Sequence, residues 1–204
     1  MPLLAISSDQ SLKDVQQLTK RLVEYITAMR IELERKRLLA AKSEDTVRMT
    51  ELSCYMTLCG MDNAHKFLAY RNALTSNYKV QNFITAAHFA RQVLDLEPSG
   101  VLASKPEQIT QHKKYFAAFT AKGTNAVKLD FNQGLNVELQ EVCGYLCLGT
   151  LRPLQDNRTQ STLKCPLCAS IAGKDQAGQL CQTCELCTLG EDVVGLNIMV
   201  EKLK

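Results

Sequence analysis

Apolar residues recur at every third or fourth position near the start of the chain, which is the spacing of one face of an α-helix. They form a stripe of six residues: Val15, Leu18, Leu22, Ile26, Met29 and Leu33. Ser8 or Asp9 lies ahead of the stripe and is a suitable N-cap, because a short polar side chain accepts unpaired amide protons of the first turn. The pattern predicts one long helix whose apolar stripe packs on neighbouring helices, and pairing in a coiled coil is the alternative.

Three shorter helices are predicted further along. Their approximate ranges are residues 63–77, 80–96 and 105–122. Pro98 and Gly100 end the second of them, since neither residue continues a helix easily. Residues 65–98 have the length of a tetratricopeptide hairpin, but a single such unit cannot bury both of its faces. We therefore interpret this segment as one repeat-like hairpin inside a helical domain.

Beyond residue 125 the pattern changes to short apolar segments separated by turn residues, which is typical of strands. The predicted strands are residues 127–131, 139–148, 163–167, 179–182 and 193–200. We expect an α+β protein with a helical domain over residues 1–124 and a small β-rich domain over residues 125–204. A domain of about 80 residues is close to the size at which a hydrophobic core alone is marginal and a structural metal helps.

Cysteine is the unusual feature of the composition, because seven of the nine cysteines lie between Cys143 and Cys187. Hydrophobic residues make up 46% of the 204 residues, which is enough for a folded core. The sequence has no apolar run of membrane-spanning length, and its first residues lack the basic flank of a secretory signal, so we expect a soluble, cytosolic protein. In a reducing compartment, clustered cysteines indicate metal binding rather than disulfides.

Four of these cysteines have the spacing of a metal site. Cys165-Pro-Leu-Cys168 and Cys181-Gln-Thr-Cys184 form the pattern C-x2-C-x12-C-x2-C. Two such turns each supply two thiolates, and four thiolates complete a tetrahedron around one zinc ion. The sequence therefore predicts a structural, zinc-ribbon-like site whose binding free energy adds to that of folding.

The choice of ligands has alternatives. Cys187 makes Cys184-Glu-Leu-Cys187 a second possible pair, and Cys143 and Cys147 are spare ligands, although their spacing favours a buried apolar strand. A thioredoxin-type redox pair would leave the second cysteine pair unexplained. A RING domain needs eight ligands, and no histidine follows His112 to complete such a set.

Charge and residue types exclude other classes of function. The net charge is +3, and from residue 143 to the end six basic residues face six acidic ones, so the cysteine region lacks a basic surface for phosphates. The three histidines, His65, His88 and His112, all lie in predicted helices, and the sequence has no nucleophile motif or phosphate-binding glycine loop. We therefore expect a non-catalytic module, and a zinc-ribbon module that binds nucleic acid or acts in transcription is the alternative.

Several segments taken together resemble one protein family. They are Glu24-Tyr-Ile26, Glu32-Leu-Glu-Arg-Lys-Arg37, Tyr70-Arg-Asn-Ala-Leu74, the run from Tyr78 to Pro98, Val142-Cys-Gly144, Leu151-Arg-Pro-Leu154, Lys164-Cys-Pro166, Gly178-Gln-Leu-Cys181 and Gly190-Glu-Asp-Val-Val-Gly-Leu196. Their order and residues are similar to those of the C-terminal domain of the coatomer (COPI) alpha subunit. The resemblance covers roughly Val23 to the C-terminus.

This resemblance implies a scaffold of the COPI vesicle coat. Coatomer assembles in the cytoplasm on Golgi membranes and forms vesicles for Golgi-to-ER and intra-Golgi transport, so membrane association of this chain would be indirect. The resemblance also implies binding to the epsilon subunit, a tetratricopeptide protein, and to other coatomer subunits. No nucleic acid or small-molecule substrate is implied.

The contact that the resemblance suggests is a hairpin over residues 148–163 that turns at Asp156-Asn157. Its candidate contact residues are Leu151, Arg152, Pro153 and Leu154. Arg152 is the expected rim contact. The alternative for the three apolar residues is that they face the chain's own core.

The sequence also departs from the family. Parent chains are much longer and carry N-terminal propellers that bind cargo, so we expect this chain to be one part of such a protein and do not assign cargo binding to it. Some members lack one or more cysteines of the second pair, and Cys147 and Cys187 look peculiar to this sequence. The zinc prediction therefore depends on the cysteine spacing, not on kinship.

Overall fold

The computed structural model describes residues 9–103, 106–131, 146–154 and 162–191. Helices make up most of these residues: α1 (Asp9–Ala40), α2 (Thr46–Tyr55), α3 (Asn63–Lys79), α4 (Phe83–Leu94) and α5 (Pro106–Lys122). Four short strands follow: β1 (Leu146–Cys147), β2 (Arg152–Pro153), β3 (Thr162–Lys164) and β4 (Ile171–Gly173). None of the helices in these ranges is both long and apolar enough to cross a membrane.

The order of elements agrees with the predicted α+β class, because helices come first and short antiparallel strands follow. α3, α4 and α5 begin and end within three residues of the predicted positions. α2 was not predicted as a separate element. α3 and α4 are consecutive and pack against each other, and their tetratricopeptide-like character stays a prediction.

The helical core buries aromatic rings between small side chains. Phe89 on α4 lies 5.6 Å from the ring of Phe131, and Tyr55 on α2 lies 6.2 Å from the same ring, measured between centroids. Ala86 and Ala90 on α4 are both fully buried. Their small side chains let neighbouring helices approach closely, and α4 contacts both α3 and α5.

Residues 127–131 do not form the predicted strand, and they pack with the helices instead. Leu129 and Phe131 are 0% and 1% exposed and belong to the helical core. Just before them, the backbone of Asn125 forms an isolated antiparallel bridge with Asn82. The helical packing thus continues past the predicted boundary near residue 124, and the division into two domains stays a prediction.

The long helix α1 is present, but the side of it that packs is not the predicted one. Five of the six members of the apolar stripe are between 39% and 65% exposed. The side turned towards the helical core carries Ala28 and Ile31, which are at most 1% exposed. Beside them, the Glu24 carboxylate accepts a hydrogen bond from the Gly60 amide at 2.9 Å. Residues of mixed size and polarity form this contact, so the regular spacing of large apolar residues indicates the opposite face.

The described strands form two antiparallel pairs, one at each end of the predicted hairpin over residues 148–163. β1 pairs with β2, and β3 pairs with β4. The amide of Leu148 donates to the carbonyl of Ile171 at 3.1 Å, which connects β1 to β4. The two described ends of the predicted hairpin therefore have different partners, and its turn at Asp156-Asn157 lies outside the described residues.

The remaining predicted strands are shortened or undescribed. The strand predicted at residues 163–167 ends before Cys165, because a tight turn begins there. Residues 179–182 contribute an isolated bridge at Leu180. Two further predicted strands lie largely or wholly outside the described residues: 139–148 and 193–200.

The first turn of α4 is capped by a residue distant in sequence, and this cap can be tested. The Asn125 side-chain oxygen accepts hydrogen bonds from the amides of Ile84 and Thr85, at 3.1 and 3.3 Å. Because these amides have no partner inside the helix, we expect Asn125→Ala to lower the free energy of unfolding by about 1 kcal/mol in urea denaturation. Gln17→Ala, at an exposed position of α1, is the control and should change stability by less than about 0.5 kcal/mol. Equal stabilities of the two variants would contradict the cap.

Candidate metal centre

Four cysteine sulfur atoms meet at one point between the two hairpins of the cysteine region. The ligand atoms of Cys165, Cys168, Cys181 and Cys184 all lie within 4.8 Å of one another. Two sulfur pairs, Cys165 with Cys184 and Cys168 with Cys181, are each 3.7 Å apart. These are the four residues that the sequence spacing predicts, and they can hold a metal ion.

The sulfur separations distinguish a metal site from disulfides. A disulfide has an S–S length of about 2.05 Å, far below the observed 3.7 Å, and all four cysteines are free. Zinc binds thiolates at about 2.3 Å, and a tetrahedron with that radius has sulfur–sulfur edges of about 3.8 Å. Two of the sulfur pairs therefore have the separation that a tetrahedral thiolate site requires, and all four sulfurs lie within 4.8 Å of one another.

Each cysteine pair lies on a turn of the same construction. In the first turn the amide of Ala169 donates to the carbonyl of Cys165, and in the second the amide of Glu185 donates to the carbonyl of Cys181, both at 2.9 Å. Ala169 and Glu185 each follow the second cysteine of the pair and have φ values of +59° and +54°. The left-handed residue turns the chain back on itself, which brings both sulfurs of a pair to the same side.

Two short hairpins support these turns. The first turn connects β3 to β4. The second lies within a hairpin closed by the bridge between Leu180 and Thr188 and by the amide of Cys181, which donates to the carbonyl of Cys187 at 2.8 Å. A hairpin of this length is marginal alone, so the shared sulfur cluster is what joins the two.

Contacts among the sulfurs favour the thiolate form of Cys181. Contacts with Cys168 and Cys181 raise the pKa of the Cys165 thiol, and the amides of Cys168 and Leu167 act in the opposite direction. The Ser170 hydroxyl is buried and lies 3.1 Å from the Cys168 sulfur and 3.2 Å from the Cys181 sulfur. The neighbouring thiols of Cys165 and Cys168 donate to Cys181 and hold the pKa of its thiol below the ordinary value. A metal ion takes thiolates as ligands, so the readily formed thiolate of Cys181 suits metal binding.

Arg30 connects the cysteine region to α1. Its guanidinium donates to the carbonyl of Leu148 at 3.0 Å and to the side-chain oxygen of Gln182 at 3.2 Å. Gln182 lies inside the second cysteine turn. Burial lowers the pKa of Arg30, and the nearby Cys181 acts in the opposite direction. A divalent ion with four thiolates would carry a net charge of −2, and the half-buried guanidinium would compensate part of it.

The other cysteines take different positions. Cys147 and Cys187 are buried in the same cluster, but their sulfurs are not among the four that lie together. Cys147 accepts a hydrogen bond from the Gly173 amide at 3.4 Å. Cys54 and Cys59 lie in the helical core, where burial raises the pKa of each thiol to about 12. Cys143 lies outside the described residues.

The candidate partner-binding residues are divided between core and surface. Leu151 is 8% exposed and belongs to the helical core, and Leu154 packs against the cysteine cluster beside β4. Arg152 is exposed and forms an ion pair with Asp130 at 2.6 Å. Pro153 lies in β2. Partner binding through these residues stays a prediction, and Arg152 is the one that presents charge to solvent.

The histidines have packing partners instead of a shared site. The His65 ring nitrogen lies 2.9 Å from the Tyr25 hydroxyl, and that of His112 lies 2.7 Å from the carbonyl of Gln108. Burial lowers the pKa of His88 and of His112 from the ordinary value. Each lies on a different helix, as expected for structural residues.

Sequence spacing did not identify two residues that contact the cysteine centre. Ser170 follows Cys168 by two positions, and this proximity to a cysteine pair was an available signal. Arg30 is 118 residues from Leu148 in the chain, so no local pattern connects them.

Comparisons with known proteins show that the chain is similar to one family. The family of the C-terminus of the coatomer (COPI) alpha subunit matches residues 1–204. Coatomer subunit alpha-2 of Oryza sativa subsp. japonica is 32% identical over 96% of the chain and 14% of that protein. Coatomer subunit alpha of Dictyostelium discoideum is 30% identical over 96% of the chain and 15% of that protein. Coatomer subunit alpha of Saccharomyces cerevisiae (strain ATCC 204508 / S288c) is 26% identical over 97% of the chain and 15% of that protein. The chain thus spans about one seventh of the length of these relatives, and the resemblance noted from the sequence is confirmed.

The left-handed residues of the cysteine turns can be tested by a pair of substitutions at one position. Glu185 is exposed and has φ +54°, where a residue with a Cβ is strained. We expect Glu185→Gly to be more stable than Glu185→Ala by about 1 kcal/mol, because both variants lose the carboxylate but only glycine loses the strain. Thermal unfolding of the metal-loaded variants measures the difference. Equal melting temperatures would show that the left-handed turn costs nothing here.

Proposed function

Because the chain belongs to the family of the C-terminus of the coatomer (COPI) alpha subunit, we propose that it is a non-catalytic scaffold module of the COPI vesicle coat. The observation that carries this proposal is the family match over all 204 residues. The module would act in Golgi-to-ER retrograde and intra-Golgi transport, in the cytoplasm and at Golgi membranes, through other subunits and without inserting into the bilayer.

The proposed partner is the epsilon subunit of coatomer, alongside the other coat subunits. The proposed contact surface is the turn between β1 and β2, where Thr150 and Arg152 are exposed. Arg48 on α2 donates to the Thr150 carbonyl at 3.1 Å, and Leu151 is anchored in the core, so the turn is held in one position. A preformed turn loses little conformational entropy on binding, which favours its use as a contact.

Charge reversal tests this surface. Arg152 carries the exposed charge of the turn, and we expect Arg152→Glu to weaken binding to the epsilon subunit by about tenfold, equivalent to about 1.4 kcal/mol, in a titration by calorimetry. Arg37→Glu is the matched control, since Arg37 is also an exposed arginine that is paired with a carboxylate at short range. Absence of binding by the unaltered chain would contradict the partner. Unchanged binding of Arg152→Glu would contradict the surface.

We further propose that Zn²⁺ is the ion of the four-cysteine centre and that its role is structural. Support comes from four cysteine sulfurs within 4.8 Å of one another, because four thiolates would fill a tetrahedral site and leave no open coordination position for chemistry. The strands around the site are two or three residues long, so metal binding would supply folding free energy that they lack. The second class of function, a nucleic-acid module, has no supporting feature among the described residues.

Metal content and two matched substitutions test the centre and its ligands. We expect one zinc per purified chain, loss of zinc in Cys181→Ser, and retention of zinc in Cys187→Ser, because Cys187 is buried nearby but is not one of the four converging sulfurs. Cys181→Ser should also lower the thermal stability of the cysteine region while far-UV circular dichroism keeps its helical signal. Zinc well below one per unaltered chain would remove the proposal. Zinc loss in Cys187→Ser would change the ligand set.

A further inference from the structure

The apolar stripe of α1 is left on the surface of the described structure. Leu18, Met29 and Leu33 are 57%, 52% and 65% exposed, and Leu22 and Ile26 are 44% and 39% exposed. These five side chains lie along the same face over four turns of one helix. A contiguous apolar surface of this kind marks an interaction site, whereas singly exposed leucines do not.

Other sides of α1 contact the helical core and the cysteine region. Ala28 and Ile31 face the helical core. Val23 packs on the cysteine cluster, and Arg30 bonds to Leu148 and Gln182. Within the described residues, the stripe is thus the large apolar surface of α1 that neither half of the chain covers.

The spacing of the stripe defines the shape of a matching partner. Its six members repeat after eleven residues, since positions 15, 18 and 22 are followed by 26, 29 and 33. Eleven residues correspond to three full turns at about 3.67 residues per turn, close to an ordinary α-helix. The stripe therefore runs almost straight along α1, and another straight helix fits it.

We propose that this stripe is the contact face of a homodimer in which α1 packs antiparallel against α1 of a second copy of the chain. The spacing is nearly the same when read in either direction from Ile26. A two-fold axis beside Ile26 places Leu18 opposite Leu33 of the second copy and Leu22 opposite Met29. Such an isologous contact uses the same surface on both copies, so it closes at two.

Charges along one edge of the stripe support this orientation. At 100° per residue, Asp14, Arg21, Glu32 and Lys36 lie along that edge. The antiparallel arrangement brings Asp14 of one copy near Lys36 of the other, and Arg21 near Glu32, each contact occurring twice. In a parallel arrangement this edge would instead face the other edge of the stripe on the second copy, so these two charge pairs would not form.

The ion pairs already present do not prevent these contacts. Arg21 pairs with Asp62 at 2.6 Å, and Glu32 pairs with Arg35 at 2.8 Å, so the second copy would extend existing networks. One helix face is smaller than the roughly 800 Å² per partner of a typical stable interface. We therefore expect a dissociation constant on the order of 10 µM.

Sedimentation equilibrium of the whole chain, under reducing conditions that prevent disulfide cross-links, tests the dimer. We expect a monomer–dimer equilibrium below about 200 µM. Ile26→Asp should weaken it by more than about tenfold, because a charge would be buried at the two-fold axis. Leu68→Asp is the matched control, since Leu68 is also an exposed leucine, at 57%, but lies on α3 instead of α1, and this variant should dimerise normally. A monomer throughout, or equal effects of both substitutions, would overturn the proposal.

A charge exchange tests the antiparallel orientation. Asp14→Lys and Lys36→Asp should each weaken dimerisation about threefold or more by placing like charges together. The double variant should restore it, because each copy again offers opposite charges to the other. Failure of the double variant to recover would overturn the antiparallel arrangement. Both experiments are independent of the epsilon subunit, so their outcome leaves the proposed coat function unaffected.

Discussion

Four sulfur atoms within 4.8 Å of one another are the constraint on which the second half of the protein depends. The strands around them contain two or three residues, and the apolar cluster there consists largely of the cysteines themselves. Ladder hydrogen bonds over such lengths do not stabilise a sheet. The two turns that carry the cysteines meet at their sulfurs, and the proposed tetrahedral metal ion would join them there.

α1 connects this centre to the helical half. On one side it buries Ala28 and Ile31 in the helical core, and on another Arg30 reaches the second cysteine turn and Leu148. The turn after β1 is also fixed to α2 through Arg48, so the cysteine region is attached to helices at two places. Such attachment would suit the proposed scaffold role, because contact residues must keep their relative positions while partners bind and leave.

How much the sequence predicts depends on the range of the interaction concerned. Helices α3 to α5 were predicted within three residues, because proline, glycine and apolar periodicity act over one or two turns. The hairpin over residues 148–163 stays a prediction: its described ends pair elsewhere, β1 with β2 and β3 with β4, and its turn lies outside the described residues. The prediction of a strand at residues 127–131 was wrong, because Phe131 packs on Tyr55 and Phe89 of the helical core instead of on a sheet.

Local patterns along the chain predicted the long first helix, the four cysteines that come together and the family to which the chain belongs. These properties are carried by residues that are close in the chain or by their fixed order along it. Three-dimensional contacts set which face of α1 is buried, that Leu151 lies in the core while Arg152 faces solvent, and that Arg30 lies beside the four-cysteine cluster. Each of these depends on contacts across tens of residues, which a local count of apolar residues does not reveal.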